Sequence, residues 1–431
     1  MKKKVFSVVM AAAMMSTMLA GCGGDNGNTA SAPASSSAPA SSSAAASSST
    51  PASSAASSQT SQSTEPVTLK WAIWDQETTQ YWNDIKEAYE ASHEGVTIEM
   101  VDLGSTDYMT VLATELSGSG SDFDVVTIKD VPGYATLVQK NAILALDDYI
   151  KNDGVDLSQY AGATDQVLVD GKLYELPFRN DFWVVFYNKD LFDAKGVPYP
   201  TNDMTFEEYD ALARQMTDTT FGSQIYGTHY HTWRSAVQLF GVLDGQHTIL
   251  DGEYSAFQPY YEMVLNQEAD GVCRKYTDLK TEGLHYSAAF SGGDVAMLNM
   301  GSWFIATMIS NLQSGEYDSS LCGNWGIVKY PHAEGVEAGS TLGTITGLSV
   351  TAASDTPDAA WEFVKWVSGE EGAAVMASSG NFPAIMTDEV KNMIAGLEGF
   401  PTDAESKEAL SVSNLYLEVP YGEKVSEINS V

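Results

Sequence analysis

The first sixty-odd residues of the globular part constrain the fold most. "VTLKWAIW" (Val67 to Trp74) alternates, with Leu69, Trp71 and Ile73 on one side, and that period of two predicts a half-buried strand. Trp82, Ile85 and Tyr89 follow at spacings of three and four, which predicts a helix with one apolar face. "GVTIEMVDL" and "DVVTI" read as two more strands, separated by a helix through Tyr108 to Leu116. Strand, helix, strand, helix is the order of an α/β layer with a mainly parallel sheet, because each parallel strand needs a crossover and the crossover helix covers the sheet. No fixed-period repeat runs along the chain.

The same reading continues downstream. "DFWVVFYN" (Asp181 to Asn188) predicts an aromatic-rich strand, and "DVAMLNM" a short buried one. In "MTFEEYDALARQM", Thr205 and Glu208 have capping-box spacing, and Phe206 and Tyr209 begin an apolar face. In "TPDAAWEFVKWVSG", Thr356 is placed to cap a helix and Pro357 suits its first turn. Ala360, Phe363, Val364 and Val367 share one face, and Gly369 suits the stop. Trp361 and Trp366 read as packing residues.

The N-terminus has a different character. Lys2, Lys3 and Lys4 precede an uncharged, mostly apolar run from Val5 to Leu19, which is too short for a comfortable membrane span and sits where a signal peptide sits. It ends in "LAGC", Leu19 to Cys22, which looks like the lipobox of bacterial lipoproteins and makes Cys22 the expected lipid anchor. Residues 23 to 64 are nearly all Ser, Ala, Thr, Gln, Gly, Asn and Pro, a composition that buries too little apolar surface to offset its ordering entropy and predicts a flexible tether. The remainder is long enough for two domains or one bilobed unit.

Acidic residues number 57 against 22 basic ones, for a formal net charge of -35, which argues against nucleic acid and against a basic membrane-binding face. Beyond Cys22 the cysteines are Cys273 and Cys322, which have the compartment to pair but read equally well as isolated buried thiols. The sequence has no G-x-S-x-G, H-E-x-x-H, P-loop, G-x-G-x-x-G or EF-hand pattern. His229 and His231 form an H-x-H, but the six histidines offer no third ligand at a telling spacing, so two loop histidines are favoured over a metal site.

What is abundant is aromatic: nine Trp and 21 Tyr, several of them beside turns with polar neighbours. Trp74-Asp75-Gln76 ends the first strand, and Lys129-Asp130 ends another with Tyr134 beyond. "PFRNDFW" sets Arg179, Asn180 and Asp181 between apolar segments, and "HYHTWR" does the same for Trp233 and Arg234. In open α/β sheets ligands sit beyond the carboxyl ends of strands. Aromatic faces stack on the C–H face of a sugar ring while Asp, Asn, Gln and Arg bond its hydroxyls, so this mixture fits a neutral, hydroxyl-rich ligand.

Four stretches together carry a family resemblance. They are "YELPFRNDFWVVFYNKDLFDAKGVPYPTNDMTFEEYDALA", "FSGGDVAMLNMGSWF", "GTITGLSVTAASDTPDAAWEFVKWV" and "GNFPAI". In this order and spacing the chain resembles the extracellular solute-binding proteins of ATP-binding-cassette importers, the large family that includes maltose-binding protein. The likeness spans nearly all of 66 to 431. It implies an α/β, two-lobed periplasmic-binding-protein-like fold, each lobe a mainly parallel sheet flanked by helices, with the ligand cleft at the hinge. The expected division is 1-21 signal peptide, 22-64 linker, 66-180 plus 347-395 lobe I, and 181-346 plus 396-431 lobe II. Family members continue past "YLEVPYGEKVSEINSV" with a further helix, whereas this sequence stops at Val431.

The resemblance implies capture of a carbohydrate, an oligosaccharide by preference, for delivery to membrane permease subunits. It implies a monomer held at the outer face of the bacterial cytoplasmic membrane by its lipid anchor alone, with no covalent chemistry, no cofactor, no metal and no nucleic acid. Trp303 matches the tryptophan of the family's G-x-W element, and Asp130 an acidic position that bonds sugar hydroxyls or else caps the next helix. Trp74, Asp75 and Gln76 stand at the first strand's end, Arg179, Asn180 and Asp181 at the first crossover, and Thr344, with Thr346, at the second. Trp233 divides evenly between cleft and core, and Phe382 sits before Pro383 where it can close the cleft. The alternatives are the same scaffold holding a polyamine, a phosphodiester or a metal chelate, a secreted glycosidase, and a sensory or adhesive lipoprotein.

Overall fold

The computed structural model describes residues 66–77, 79–118, 121–220, 224–422 and 424–429. The expected signal peptide, with Cys22 and the Ser/Ala-rich tract, lies outside the described residues. No helix among the described residues is long and apolar enough to cross a membrane.

The opening alternation builds the parallel layer it predicts. β1 (Val67–Ile73) pairs in parallel with both β2 (Val96–Asp102) and β3 (Val125–Ile128). The helix Tyr81–Ser92 buries Trp82, Ile85 and Tyr89, and the helix Tyr108–Glu115 buries Tyr108 and Leu112 against the same sheet. Trp71 lies at the centre, edge-on to Trp82 and to Phe363, with its indole N–H donated to Thr127.

Two long strands then change the character of the sheet. β4 (Leu176–Asn188) extends well N-terminal of the aromatic run that predicts it. It carries β5 (Met297–Gly301) and β6 (Trp325–Lys329), both antiparallel to it. β7 (Ser340–Val350) pairs antiparallel with β3 at one end and with β4 along its length, and β8 (Asn414–Leu417) runs parallel to the start of β7. The order β2-β1-β3-β7-β4-β5 is therefore a mixed sheet: the expected parallel pairing holds for β1 to β3 and for β7 with β8, while β5, β6 and β7 all pair antiparallel with β4. The β4–β7 register shifts between Pro177 and Arg179, where proline has no N–H to give to the ladder. At and beyond the end of β8 the chain meets the segment before β4: Leu417 N–H bonds Gln166 Oε1 at 2.8 Å and Tyr421 N–H bonds the Gln166 carbonyl at 2.9 Å.

Alternate residues of β4 serve two hydrophobic clusters. Phe182, Val184 and Phe186 join the larger one, Trp183, Val185 and Tyr187 the smaller. Cys322 belongs to the first cluster and Cys273 to the second, and both are buried free thiols, so the pairing that the compartment permits is not made. The capping box of Thr205 and Glu208 is formed in both directions. Thr356 does precede its helix, but its hydroxyl bonds Asp124 at 3.3 Å instead of capping, because Asp124 lies beside the turn.

Candidate functional site

Strand alternation sets which side chains face the interlobe cleft. Successive residues of a strand point to opposite sides. Arg179, Asp181 and Trp183 of β4 line the cleft, and Thr344 and Thr346 of β7 join them from registered positions: Arg179 lies opposite Thr346 and Asp181 opposite Thr344. The cavity is about 720 Å³, within the range of small-molecule sites. Four tryptophans enter its lining: Trp74 beyond β1, Trp183 on β4, Trp233 before the helix Ser235–Val242, and Trp303 beyond β5. Lys129, Thr232, Arg234, Ser235 and Glu418 supply further polar atoms.

Trp303 is the first residue of the helix Trp303–Ser314, and its position explains the glycine before it. A Cβ on Gly301 would lie 2.0 Å from Trp303 Cζ3, so the indole folds back over the bare backbone of the last residue in β5. The ring is held edge-on to Trp183 at 5.8 Å, and its N–H is donated to the Tyr286 hydroxyl at 3.2 Å. Trp233 completes the group, 6.0 Å from Trp303 between ring centroids and 41% exposed. On the opposite wall Trp74 packs edge-on against Trp82 and Tyr108, with the Lys129 ammonium 5.1 Å from its ring centroid. Lys129 also donates to the Ser105 carbonyl at 2.8 Å.

The polar floor is an ion pair. Arg179 Nη2 meets Asp181 Oδ2 at 2.6 Å, and Ser302 Oγ donates to Asp181 Oδ1 at 3.0 Å. Burial raises the Asp181 carboxyl above its ordinary range, while Arg179 and Ser302 pull it back. Burial also works against the Arg179 charge, but Asp181 and Tyr81 outweigh it and hold the guanidinium cationic. Glu418 is raised by burial against the opposing pull of Arg234 and Ser235. Two buried donors on this floor, Arg179 Nε and Trp183 Nε1, have no partner among the described residues. Orphaned buried donors are costly, and in a cleft they mark where a ligand oxygen can bind.

A family model described as bacterial extracellular solute-binding protein matches residues 74–374. The chain belongs to this family. A sugar transporter of Rhizobium etli, crystallised in an open conformation, is 48% identical, with a TM-score of 0.81 over 84% of this chain and 92% of that one. The galactooligosaccharide-binding protein of Bacillus subtilis is 26% identical, over 75% of this chain and 76% of the relative. A substrate-binding protein of Listeria monocytogenes, solved with cycloalternan, shares the fold at 21% identity and a TM-score of 0.66, over 85% of this chain and 91% of that one.

Of the residues singled out from sequence in this family member, Trp74, Arg179, Asp181, Trp233, Trp303 and Thr344 meet in the cleft. Asp130 caps the helix Val131–Gln139, accepting the Gly133 N–H at 2.7 Å, and lines a smaller cavity of about 220 Å³ that shares Lys129, Thr344, Ile345 and Glu418 with the cleft. Asp75 and Gln76 stand in the turn after β1 and are outside the cleft lining. Their backbone N–H groups bond the Asp102 carboxylate at 3.1 Å and 2.8 Å, Asp75 accepts from the Ser105 N–H, and Gln76 bonds Asn83. Asn180 faces the opposite side of β4, on a cavity it shares with Phe182 and Ala384. Phe382 is buried edge-on against Phe182 at 5.3 Å, and its carbonyl accepts the Asn180 N–H. The described residues contain no cluster of metal-ligating side chains. His229 is buried with both ring nitrogens unpartnered among the described residues, and burial lowers its pKa to about 3.

Thr346 joins them, and Lys129, Trp183, Thr232, Arg234, Ser235, Ile345 and Glu418 complete the lining; Lys129 and Arg234 stood out beside turns without being taken as ligand residues, and the other five were not singled out. Trp183 had a signal: it continues the period of two that joins Arg179 to Asp181. Glu418 had none, because only the pairing of β8 with β7 brings it there.

Proposed function

We propose that the protein captures a carbohydrate, an oligosaccharide by preference, between its two lobes and delivers it to the permease of an ATP-binding-cassette importer. The carrying observation is the convergence of Trp74, Trp183, Trp233 and Trp303 on one cleft whose polar atoms come from Arg179, Asp181, Lys129, Thr344, Thr346 and Glu418. Indoles give flat apolar platforms for the C–H faces of sugar rings, and the unpartnered donors Arg179 Nε and Trp183 Nε1 suit ring hydroxyls. The Rhizobium etli sugar transporter and the Bacillus subtilis galactooligosaccharide-binding protein support the same reading.

The lobes divide at the crossovers, with 66-180 plus 347-395 on one side and 181-346 plus 396-431 on the other. Trp74 and Lys129 then belong to the first lobe, and Trp233 and Trp303 to the second. A ligand that touches both sets only when they close shifts the population toward the closed form, which is the form a permease recognises. The protein acts as a monomer, anchored through Cys22 to the outer face of the cytoplasmic membrane, and performs no catalysis. The residues that contact the sugar are those lining the cleft, with Asp130 at its edge.

The test is a thermal-shift screen of soluble protein lacking residues 1 to 64. One sugar class should raise the melting temperature by binding linkage, while amino acids and polyamines should not. No shift with any member of a broad glycan panel overturns the carbohydrate reading, and turnover of an oligosaccharide by the purified protein would make it a glycosidase.

A further inference from the structure

Past Trp233 lies a second cavity, of about 280 Å³. It shares Thr232, Trp233 and Arg234 with the interlobe cleft, so the same short segment forms a wall of both. Its outer side is built by the helices Gln258–Ala269 and Tyr276–Glu282, which contribute Tyr261, Glu268 and Tyr276.

Three features make it more than a surface dent. Three of its aromatic rings are left in water: Trp233 is 41% exposed, Tyr261 43% and Tyr276 51%, while Tyr230 is buried. Exposed rings gathered on a concave surface are the usual mark of a binding site, whereas isolated ones are not. Three buried hydrogen-bonding atoms of lining residues, Tyr230 Oη, His231 Nδ1 and Arg274 Nε, have no partner among the described residues. The remaining charges are balanced. Arg274 is committed to Asp294 at 2.5 Å and lies over the Tyr226 ring at 4.3 Å, and Glu268 accepts the Tyr276 N–H at 3.0 Å. A lining with aromatic platforms, orphaned polar atoms and both signs of charge suits a neutral polyhydroxylated ring better than an ion.

We infer that this cavity is an outer subsite for the same oligosaccharide, taking the sugar units that extend past Trp233 once the cleft is filled. The inference rests on the carbohydrate reading of the cleft. The shared segment names the occupant, because a glycan stacked on Trp303 and Trp233 already touches residues that line the second cavity, whose other side carries Tyr261 and Tyr276. The device selects for length: short ligands end at Trp233, and longer ones gain a further platform.

The experiment is titration calorimetry with ladders of gluco-, manno- and galacto-oligosaccharides from disaccharide to hexasaccharide. Affinity should keep rising beyond the length that fills the cleft. Tyr276→Ala and Tyr261→Ala should each weaken the longest binder roughly tenfold and leave the shortest binder unchanged. Both side chains are exposed, so the melting temperature of the empty protein should stay constant in both variants. Affinity that stops rising once the cleft is filled, or a loss that is the same at every length or absent at every length, overturns the outer subsite alone. Failure of every ladder to bind overturns the carbohydrate reading and the subsite together.

Discussion

Arg179, Asp181 and Trp183 stand on one face of β4, and Asn180 and Phe182 stand on the other, one residue away in each case. The first face meets the cleft and keeps two donors, Arg179 Nε and Trp183 Nε1, without partners among the described residues, whereas the second keeps one acceptor so, Asn180 Oδ1. The second face meets Phe382 and Ala384, with Asn180 N–H bonded to the Phe382 carbonyl and the Ala384 N–H bonded to the Phe178 carbonyl. A slip of one residue in the pairing with β7 would exchange the two sets completely. The hinge strand thus carries ligand chemistry and lobe packing at once, separated only by the pleat, and substitutions on the two faces should fail in different ways.

The largest effect belongs to the packed face. Phe382→Ala removes a fully buried ring from beside Phe182 and should cost about 3–5 kcal/mol of stability. Ligand affinity, measured by calorimetry at a temperature where the variant remains folded, should stay within a few-fold of the parent. Weaker binding without a fall in the denaturation midpoint would place Phe382 in the ligand site and erase the distinction between the faces.

Trp303→Ala tests the other side. Its ring is half-buried and held by Trp183, Tyr286 and Gly301, so some stability is lost. The dominant loss should be in affinity, about 2 kcal/mol, or roughly thirtyfold. Gly301→Ala sharpens the point, because its Cβ would occupy the space of the indole. It should weaken binding while leaving every cleft side chain present. A Gly301→Ala protein with parental affinity would show that the orientation of the indole does not matter.

This division also explains how much could be read from the sequence. The α/β layer was legible because β1, β2, β3 and their helices carry unmixed periods of 2 and 3.6. The crossover was legible as a stretch but not as two faces: "RND" reads as three polar residues, and only the β4–β7 register separates Asn180 from its neighbours. At the end of β3, Asp130 stood out as an acidic position, yet it is Lys129 that reaches the cleft while Asp130 also caps a helix. Asp75 lies at a strand end as a ligand residue would, but with φ at 48° it forms a left-handed turn secured by Asp102. Glu418 and Ser235 come from distant parts of the chain, and no local pattern announces a contact set by tertiary pairing.

A smaller effect tests the approach of the two crossing strands to each other. Glu175 directly precedes β4, is buried with both carboxylate oxygens unpartnered among the described residues, and lies so close to β7 that a Cβ on Gly347 would sit 2.2 Å from its Oε2. Burial pushes this carboxyl up to about 8, with the nearby Asp130 charge adding to it. The folded value stands above the ordinary 4.5, so the stability Glu175 contributes is fully present below that pH and is lost as pH rises toward 8. Relative to Glu175→Gln, the melting temperature of the parent should therefore fall between pH 5 and pH 8. His229, held near 3 by burial, acts in the opposite sense below its ordinary value, so the difference between parent and variant isolates Glu175. Equal slopes in the two proteins would mean that Glu175 is ionised and satisfied in the folded state.

The smallest effects come from two threonines on β7 that restate the contrast within a single strand. Thr341 is buried and donates its hydroxyl to the Trp183 carbonyl at 2.6 Å, whereas Thr344 is exposed on the cleft wall opposite Asp181. Thr341→Val leaves a buried carbonyl one bond short and should cost about 1 kcal/mol of stability with affinity unchanged. Thr344→Val removes a hydroxyl that only a ligand would use. It should leave the melting temperature of the empty protein within error and weaken sugar binding about fivefold, the yield of one ordinary hydrogen bond. If the two variants exchange these phenotypes, the second crossover is turned the other way round in solution, and Thr346, opposite Arg179, leaves the cleft with Thr344.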